Sequence, residues 1–204
     1  MKIISDTHFY HKNILKFEEC RLNQMKLENV DLENHDEWLI NKWNHLVKPN
    51  EEVLHLGDFA WKQVQNLINK LNGNITFIMG NHESNPKSSK WDGSKVLDGI
   101  YIEENGYRMK ILNSPDLTLL SGLVKTINGI KYLFCHYDIF SEDEHDFSND
   151  RIKARIEYLK KIFIDFNCDK LIHGHLHSKP STNQKNSINA SMEHRLDTLF
   201  LELK

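Results

Sequence analysis

Ile75-Thr76-Phe77-Ile78-Met79-Gly80-Asn81-His82-Glu83 begins as an apolar run and stops abruptly in a glycine and three polar side chains. The apolar part reads as a β-strand, and the polar part as groups presented where that strand ends. Working outward, the same construction recurs along the chain. Residues 2–5 read as a strand that runs into Asp6-Thr7-His8, and residues 53–56 as one that runs into Gly57-Asp58. Ile130–Cys135 runs into His136, and residues 171–172 run into His173-Gly174-His175-Leu176-His177. Sites in open α/β sheets gather beyond the carboxyl ends of the strands, so these five segments are expected to converge. Alternate residues of an extended segment face the same way, which pairs Asp6 with His8 and His175 with His177. The glycines before Asp58, Asn81 and His175 are expected to let the backbone turn sharply.

Helical patterns lie between the strands. Residues 32–47 form one, with Asp31 as N-cap and Leu39, Trp43 and Leu46 on one face. Residues 62–71 form a second. Residues 150–166 form a third, its core stripe made of Ile152, Ile156, Leu159, Phe163 and Phe166. Arg151, Lys153, Arg155, Lys160 and Lys161 give that helix a basic face, read as solvated. Asn128-Gly129 marks a hairpin between strands at residues 117–125 and Ile130–Cys135, and residues 198–203 read as a closing strand. Residues 84–99, with an exposed Trp91, and the acidic residues 141–149 read as surface loops. The expected class is α/β with α+β character, in one domain over residues 1–204.

Composition narrows the function. The chain has 204 residues, 39% apolar and 27% charged, and its net charge of −3 lacks the basic footprint of a duplex-binding protein. Three widely spaced cysteines (Cys20, Cys135, Cys168) make a disulfide framework or zinc ribbon unexpected and point to a reducing, cytoplasmic setting. No membrane span is expected. Nor is a cleaved leader, because Asp6 belongs to the motif set. The 12 histidines are the unusual entry, since imidazole is the commonest metal ligand.

Taken in order, Asp6-Thr7-His8, Gly57-Asp58, Gly80-Asn81-His82-Glu83, His136 and Gly174-His175-Leu176-His177 resemble the calcineurin-like metallophosphoesterases, whose pattern reads D-x-H, G-D, G-N-H-D/E, H and G-H-x-H. The likeness spans Asp6 to His177 and is most similar to small bacterial and phage members. It implies a four-layer αββα sandwich of two mixed sheets flanked by helices, and a site with two divalent ions. Asp6, His8 and His177 would hold one ion, Asn81, His136 and His175 the other, and Asp58 would bridge them. The implied catalytic residues are His82, facing the phosphate, with Asp58 and the acidic Glu83 behind it. Two such ions clamp the oxygens of an in-line displacement and make a bridging hydroxide available near neutral pH. The mixed O/N ligands favour Mn²⁺, with Fe, Zn²⁺ or Ni²⁺ as alternatives.

The resemblance implies hydrolysis of a phosphodiester or small nucleotide. Protein phosphatases of this superfamily continue Gly-Asp into Asp-Arg-Gly, whereas this chain reads Gly57-Asp58-Phe59-Ala60-Trp61. Their phosphate-gripping arginine is absent there, leaving Arg21, Arg108 or Arg195 to reach the phosphate. A nuclease for short or single-stranded nucleic acid, and a non-catalytic protein-binding scaffold, stay as alternatives. His11 is a candidate substrate contact, His173 a candidate support behind the ligands and His55 a structural histidine. His35, His45, His145 and His194 carry no motif. Oligomeric state is left open.

Overall fold

A computed structural model describes residues 1–83, 88–112, 120–141 and 149–203. Outside it lie residues 84–87 of the expected first loop, residues 117–119 of the expected hairpin strand, and residues 142–148 of the acidic stretch, His145 included.

Two mixed sheets form the centre. The first takes β1 (Lys2–Ile4), β2 (Glu52–His55), β3 (Asn74–Phe77) and β4 (Lys95–Val96) in parallel, with β11 (Leu201–Glu202) antiparallel on β1. The second takes β5 (Ile100–Glu104), β6 (Tyr107–Leu112), β7 (Gly122–Ile127), β8 (Ile130–Cys135), β9 (Lys170–His173) and β10 (Ser187–Asn189), in the order β10-β9-β8-β7-β5-β6. Alternation along the strands builds three apolar layers. Ile3, Leu54, Leu123, Phe134 and Ile172 pack between the sheets. Their sequence neighbours Ile4 and Val53 face helices α1 (Ile14–Phe17), α2 (Glu19–Leu27), α3 (His35–Leu46) and α4 (Val64–Ile68). Val124, Leu133 and Leu171 face α5 (Asp150–Asp165). The result is the four-layer αββα sandwich. No helix among the described residues is long and apolar enough to cross a membrane.

Register sets up the site. Ile4 pairs with His55 and His55 with Phe77, so β1, β2 and β3 end level and release Asp6, Asp58 and Asn81 at one edge. On the second sheet Phe134 pairs with Ile172 and His173 with Asn189, which brings His136 and His175 to the corresponding edge. A parallel bridge between Ser5 and Ser191 and the bond from His175 N–H to Asp6 Oδ2 (2.9 Å) join the two edges.

Several local expectations need correction. Trp91 is buried, packed against Phe77 and Phe59, and residues 88–99 hold a short helical turn and β4. Arg155 leaves the solvated face of α5: it is buried and donates to the Tyr137 hydroxyl (2.7 Å). Helix α4 is shorter than residues 62–71, and α2, β5, β6 and β10 were not anticipated. Asn128 and Gly129 do adopt positive φ (51° and 78°), the geometry of a two-residue hairpin.

His55 is structural in geometry. Its Nδ1 accepts from Gly57 N–H (3.2 Å), its Nε2 meets Thr7 Oγ1 (3.0 Å), and Thr7 donates to Phe59 O (2.8 Å). Burial pushes the ring's pKa from 6.5 down to about 3. Between those values the unfolded chain holds the extra proton, so stability falls as pH drops, by about 1.4 kcal/mol per pH unit. Urea melts at two pH values inside that window should therefore show a shallower loss for His55→Gln than for the native chain. Equal losses would contradict this.

Candidate metal centre

Asp6 lies just past β1 with its side chain fully buried. Oδ2 accepts from His175 N–H and from Ser191 Oγ (2.8 Å). Oδ1 has no hydrogen-bond partner, and neither has the buried His8 Nε2 that faces it at 4.0 Å. His177 Nε2 lies 3.8 Å from the same oxygen, and its ring stacks on His8 with centroids 4.9 Å apart. Asp58, past β2, turns Oδ2 toward His8 Nε2 (3.6 Å), His136 Nε2 (3.6 Å) and His82 Nε2 (3.8 Å). Asn81 Oδ1 is 2.8 Å from His136 Nε2 and 3.0 Å from His175 Nδ1.

These contacts test whether cations fit. His136 gives Nδ1–H to Leu56 O (2.9 Å), so its Nε2 can only accept, yet it faces the acceptor oxygen of Asn81. Buried lone pairs pointed at one another are costly without positive charge between them. One ligand atom from each of Asp6, His8 and His177 fits within a 4.8 Å span, and likewise from Asp6, Asp58 and His136. The donor set is oxygen and imidazole nitrogen, and it fits divalent ions of the first transition row.

The field is built from burial and mutual charge. Burial drives His8 well below its ordinary range and lowers His136 to about 4, which leaves both rings neutral at pH 7. Burial also raises Asp58 to about 7, helped by the charge of Asp6. For Asp6 burial pushes the carboxyl up, but the charge of His177 above all holds it below the usual range.

The loop conformations are not the extended ones expected. Asp6, His8, His175 and His177 all have positive φ (58°, 49°, 70° and 50°), so they share a side through left-handed turns and not through a pleat. The glycines also act differently. Gly57 has the expected turn conformation, with φ 101°. Gly174 is needed for close approach: a Cβ there would sit 2.0 Å from Ser5 Oγ and 2.4 Å from Asp6 Oδ2.

A ring of residues that the motifs do not contain holds the ligands. Glu193 Oε1 accepts from His177 Nδ1 (3.1 Å) and from Arg21 Nε (2.9 Å). Arg21 is fully buried and also donates to the carbonyls of Asp6 and Thr7. Against burial, Glu193 and Asp6 raise His177 to about 9. Glu18 closes the same cluster, 3.6 Å from His177 Nδ1. Tyr137, held by Arg155, packs edge-on against His175 at 5.1 Å.

Two expected roles change on this geometry. Glu83 faces the backbone and not the cavity, accepting from the N–H groups of Asp58 (2.9 Å), Phe59 (2.6 Å) and Gly80 (2.5 Å). None of the three arginines proposed as phosphate contacts is turned to that task. Arg21 is locked to Glu193, Arg108 pairs with Glu103 (2.6 Å), and Arg195 donates to Asn189 O (2.8 Å). His173 sits where a support would: its Nδ1 donates to Gly174 O (2.8 Å), the carbonyl just before His175, and its Nε2 bonds Ser181 Oγ (2.8 Å). His82, by contrast, has a side chain 44% exposed and lines a cavity of about 390 Å³ together with Asp58, Asn81, His175 and His177.

The strand ends thus gather carboxylate oxygens and imidazole nitrogens into a candidate metal centre on a two-sheet α/β sandwich. The family model of the calcineurin-like phosphoesterases matches residues 2–179, and the chain belongs to that family. It is 31% identical over 158 residues to an uncharacterised protein of Methanocaldococcus jannaschii, an alignment covering 74% of this chain and 77% of that one. Among solved structures it is similar to a protein of unknown function from Aquifex aeolicus, with TM-score 0.66 and 24% identity over 97% of this chain and 92% of that one.

Glu193→Gln keeps the shape of the side chain but removes the charge behind His177. Such supporting contacts are worth about 10–100-fold in metal affinity. Calorimetric titration with Mn²⁺ should show a loss of that size. Unchanged affinity would mean that Glu193 does not orient the ligand.

Proposed function

We propose that this chain hydrolyses phosphodiester bonds, in a small nucleotide or similar substrate, with two divalent cations of which Mn²⁺ is favoured. The observation that carries the reading is the pair of unpartnered buried atoms, Asp6 Oδ1 and His8 Nε2, beside the Asp58-centred cluster. Asp6, His8 and His177 would hold one cation, Asn81, His136 and His175 the other, and Asp58 both. When bound, the ions supply positive charge for the phosphate and acidify the water that attacks it.

The chain's own residues do the rest. His82 is fixed by its backbone N–H on Asp58 Oδ1 (3.0 Å), while its ring stands half-exposed at the cavity. From there Nε2 delivers a proton to the leaving oxygen, general acid work worth about 10²–10⁴-fold. Glu83 is a positioning residue. By gathering three N–H groups it fixes the turn after β2 against the turn after β3.

Among the described residues the cavity lining offers Lys179 and imidazoles as its cationic groups and no guanidinium, which favours a diester over a monoester. A phosphomonoester dianion is best gripped by a bidentate guanidinium, and a diester carries only a single negative charge.

With Mn²⁺ the chain should cleave bis(p-nitrophenyl) phosphate faster than p-nitrophenyl phosphate, and EDTA should abolish both. His82→Ala should lose about 10²–10⁴ in kcat while metal content by atomic emission stays near native. A protein with bound metal but no turnover on either ester would be a scaffold, and the proposal would fail.

A further inference from the structure

Five aromatic rings cluster at the mouth of the metal cavity, with His11 also 5.7 Å from His8 and Phe17 on the cavity lining. His8 meets His82 at 5.5 Å between centroids, His82 meets Trp61 at 5.0 Å, Trp61 meets His11 at 4.6 Å, and His11 meets Phe17 at 5.9 Å. The two outermost large rings are exposed. Trp61 is 51% and Phe17 69% accessible, whereas Trp38, Trp43 and Trp91 are each at most 6% accessible. Large apolar side chains left uncovered beside a polar cavity mark a surface that meets a ligand.

A second cavity, of about 460 Å³, opens on the far side of His11 and is lined by Tyr10, Lys12, His35 and Lys62, among others. Of the histidines that line it, His35 is buried, and its Nε2, like His11 Nδ1, is closed off from solvent without a hydrogen-bond partner. Glu33 and Asp36 also border it, and Asp36 Oδ1 accepts from Tyr10 N–H (2.7 Å). Lys62 Nζ lies 5.8 Å from the Tyr10 ring centroid, on the rim with Lys12.

We infer that Trp61, His11 and Phe17 form a platform for a nucleobase next to the scissile phosphodiester, and that the cavity beyond, with Lys12 and Lys62, takes the adjoining nucleotide of a single strand. The inference rests on the phosphodiesterase reading and names its substrate class. Flat π faces accept any base by stacking, and two lysines beyond them suit the next backbone phosphate. A net charge of −3 fits a short strand gripped locally, not a duplex held along its length.

Because the other tryptophans are buried, acrylamide quenching of the intact protein reports chiefly on Trp61. Tetrathymidylate, a cyclic mononucleotide and ribose 5-phosphate are each titrated into native and variant protein by isothermal calorimetry, and with the native protein that quenching is followed as well. The two base-bearing ligands should shield Trp61, and each should bind at least about tenfold more tightly than ribose 5-phosphate. Trp61→Ala should erase that gap. Tetrathymidylate should also bind more tightly than the cyclic mononucleotide, and Lys62→Ala should remove that second difference. Equal binding of the two would overturn the strand assignment, and a gap that survives Trp61→Ala would overturn the base platform. Turnover of bis(p-nitrophenyl) phosphate is measured on the same preparation. Turnover without shielding sinks this inference alone, while shielding without turnover sinks the hydrolase reading.

Discussion

The fold is organised around two carboxylates buried side by side. Asp6 is fully inaccessible and Asp58 is 3% exposed, and their oxygens share a 4.8 Å neighbourhood with His136. Two carboxylates cannot both be charged and dry unless positive charge lies close by. Of the imidazoles around them, His177, raised to about 9, supplies one charge beside Asp6, while burial holds His8 and His136 neutral at pH 7, so the pair is only partly compensated. The arrangement makes physical sense as a receptacle for cations, and the rest of the molecule can be understood as the means of keeping it rigid.

Rigidity comes from three sources. Parallel register brings the ends of β1, β2 and β3 to one level. The loops that follow are then fixed in a conformation that non-glycine residues adopt reluctantly: Asp6, His8, Asp58, His175 and His177 all have positive φ. Each such residue costs about 1 kcal/mol or more, and strain of this kind persists where surrounding contacts over-determine it. Those contacts are the three N–H groups on Glu83, the Arg21–Glu193 pair and the tight fit of Gly174 over Ser5 and Asp6. The candidate metal site and the local strain thus occupy the same residues, while stability comes from the apolar layers on either side of the sheets.

Much of this was legible in the chain. A strand that ends in Gly-Asn-His-Glu shows its secondary structure and its polar end together, and the ordered motifs pick out side chains that meet in space. The supports were not legible, for a physical reason. Arg21 and Glu193 are 172 residues apart, and nothing local to either marks a buried ion pair. Helix α2 buries only Arg21 and Met25, so it shows no apolar stripe. Trp91 sits among polar neighbours and is covered by Phe59 and Phe77, which only the tertiary fold brings over it. One omission did have a sequence sign. Asn105-Gly106, with φ 51° and 80°, makes the same turn between β5 and β6 that Asn128-Gly129 makes between β7 and β8.

The central claim is that this edge holds a pair of cations with Asp58 between them. Anomalous diffraction at the manganese edge, from crystals grown with Mn²⁺, tests it most directly. The account predicts two peaks, one against Asp6, His8 and His177 and one against Asn81, His136 and His175, with an Asp58 oxygen within bonding reach of both. A single peak, or two peaks that leave Asp58 unbound, would contradict it.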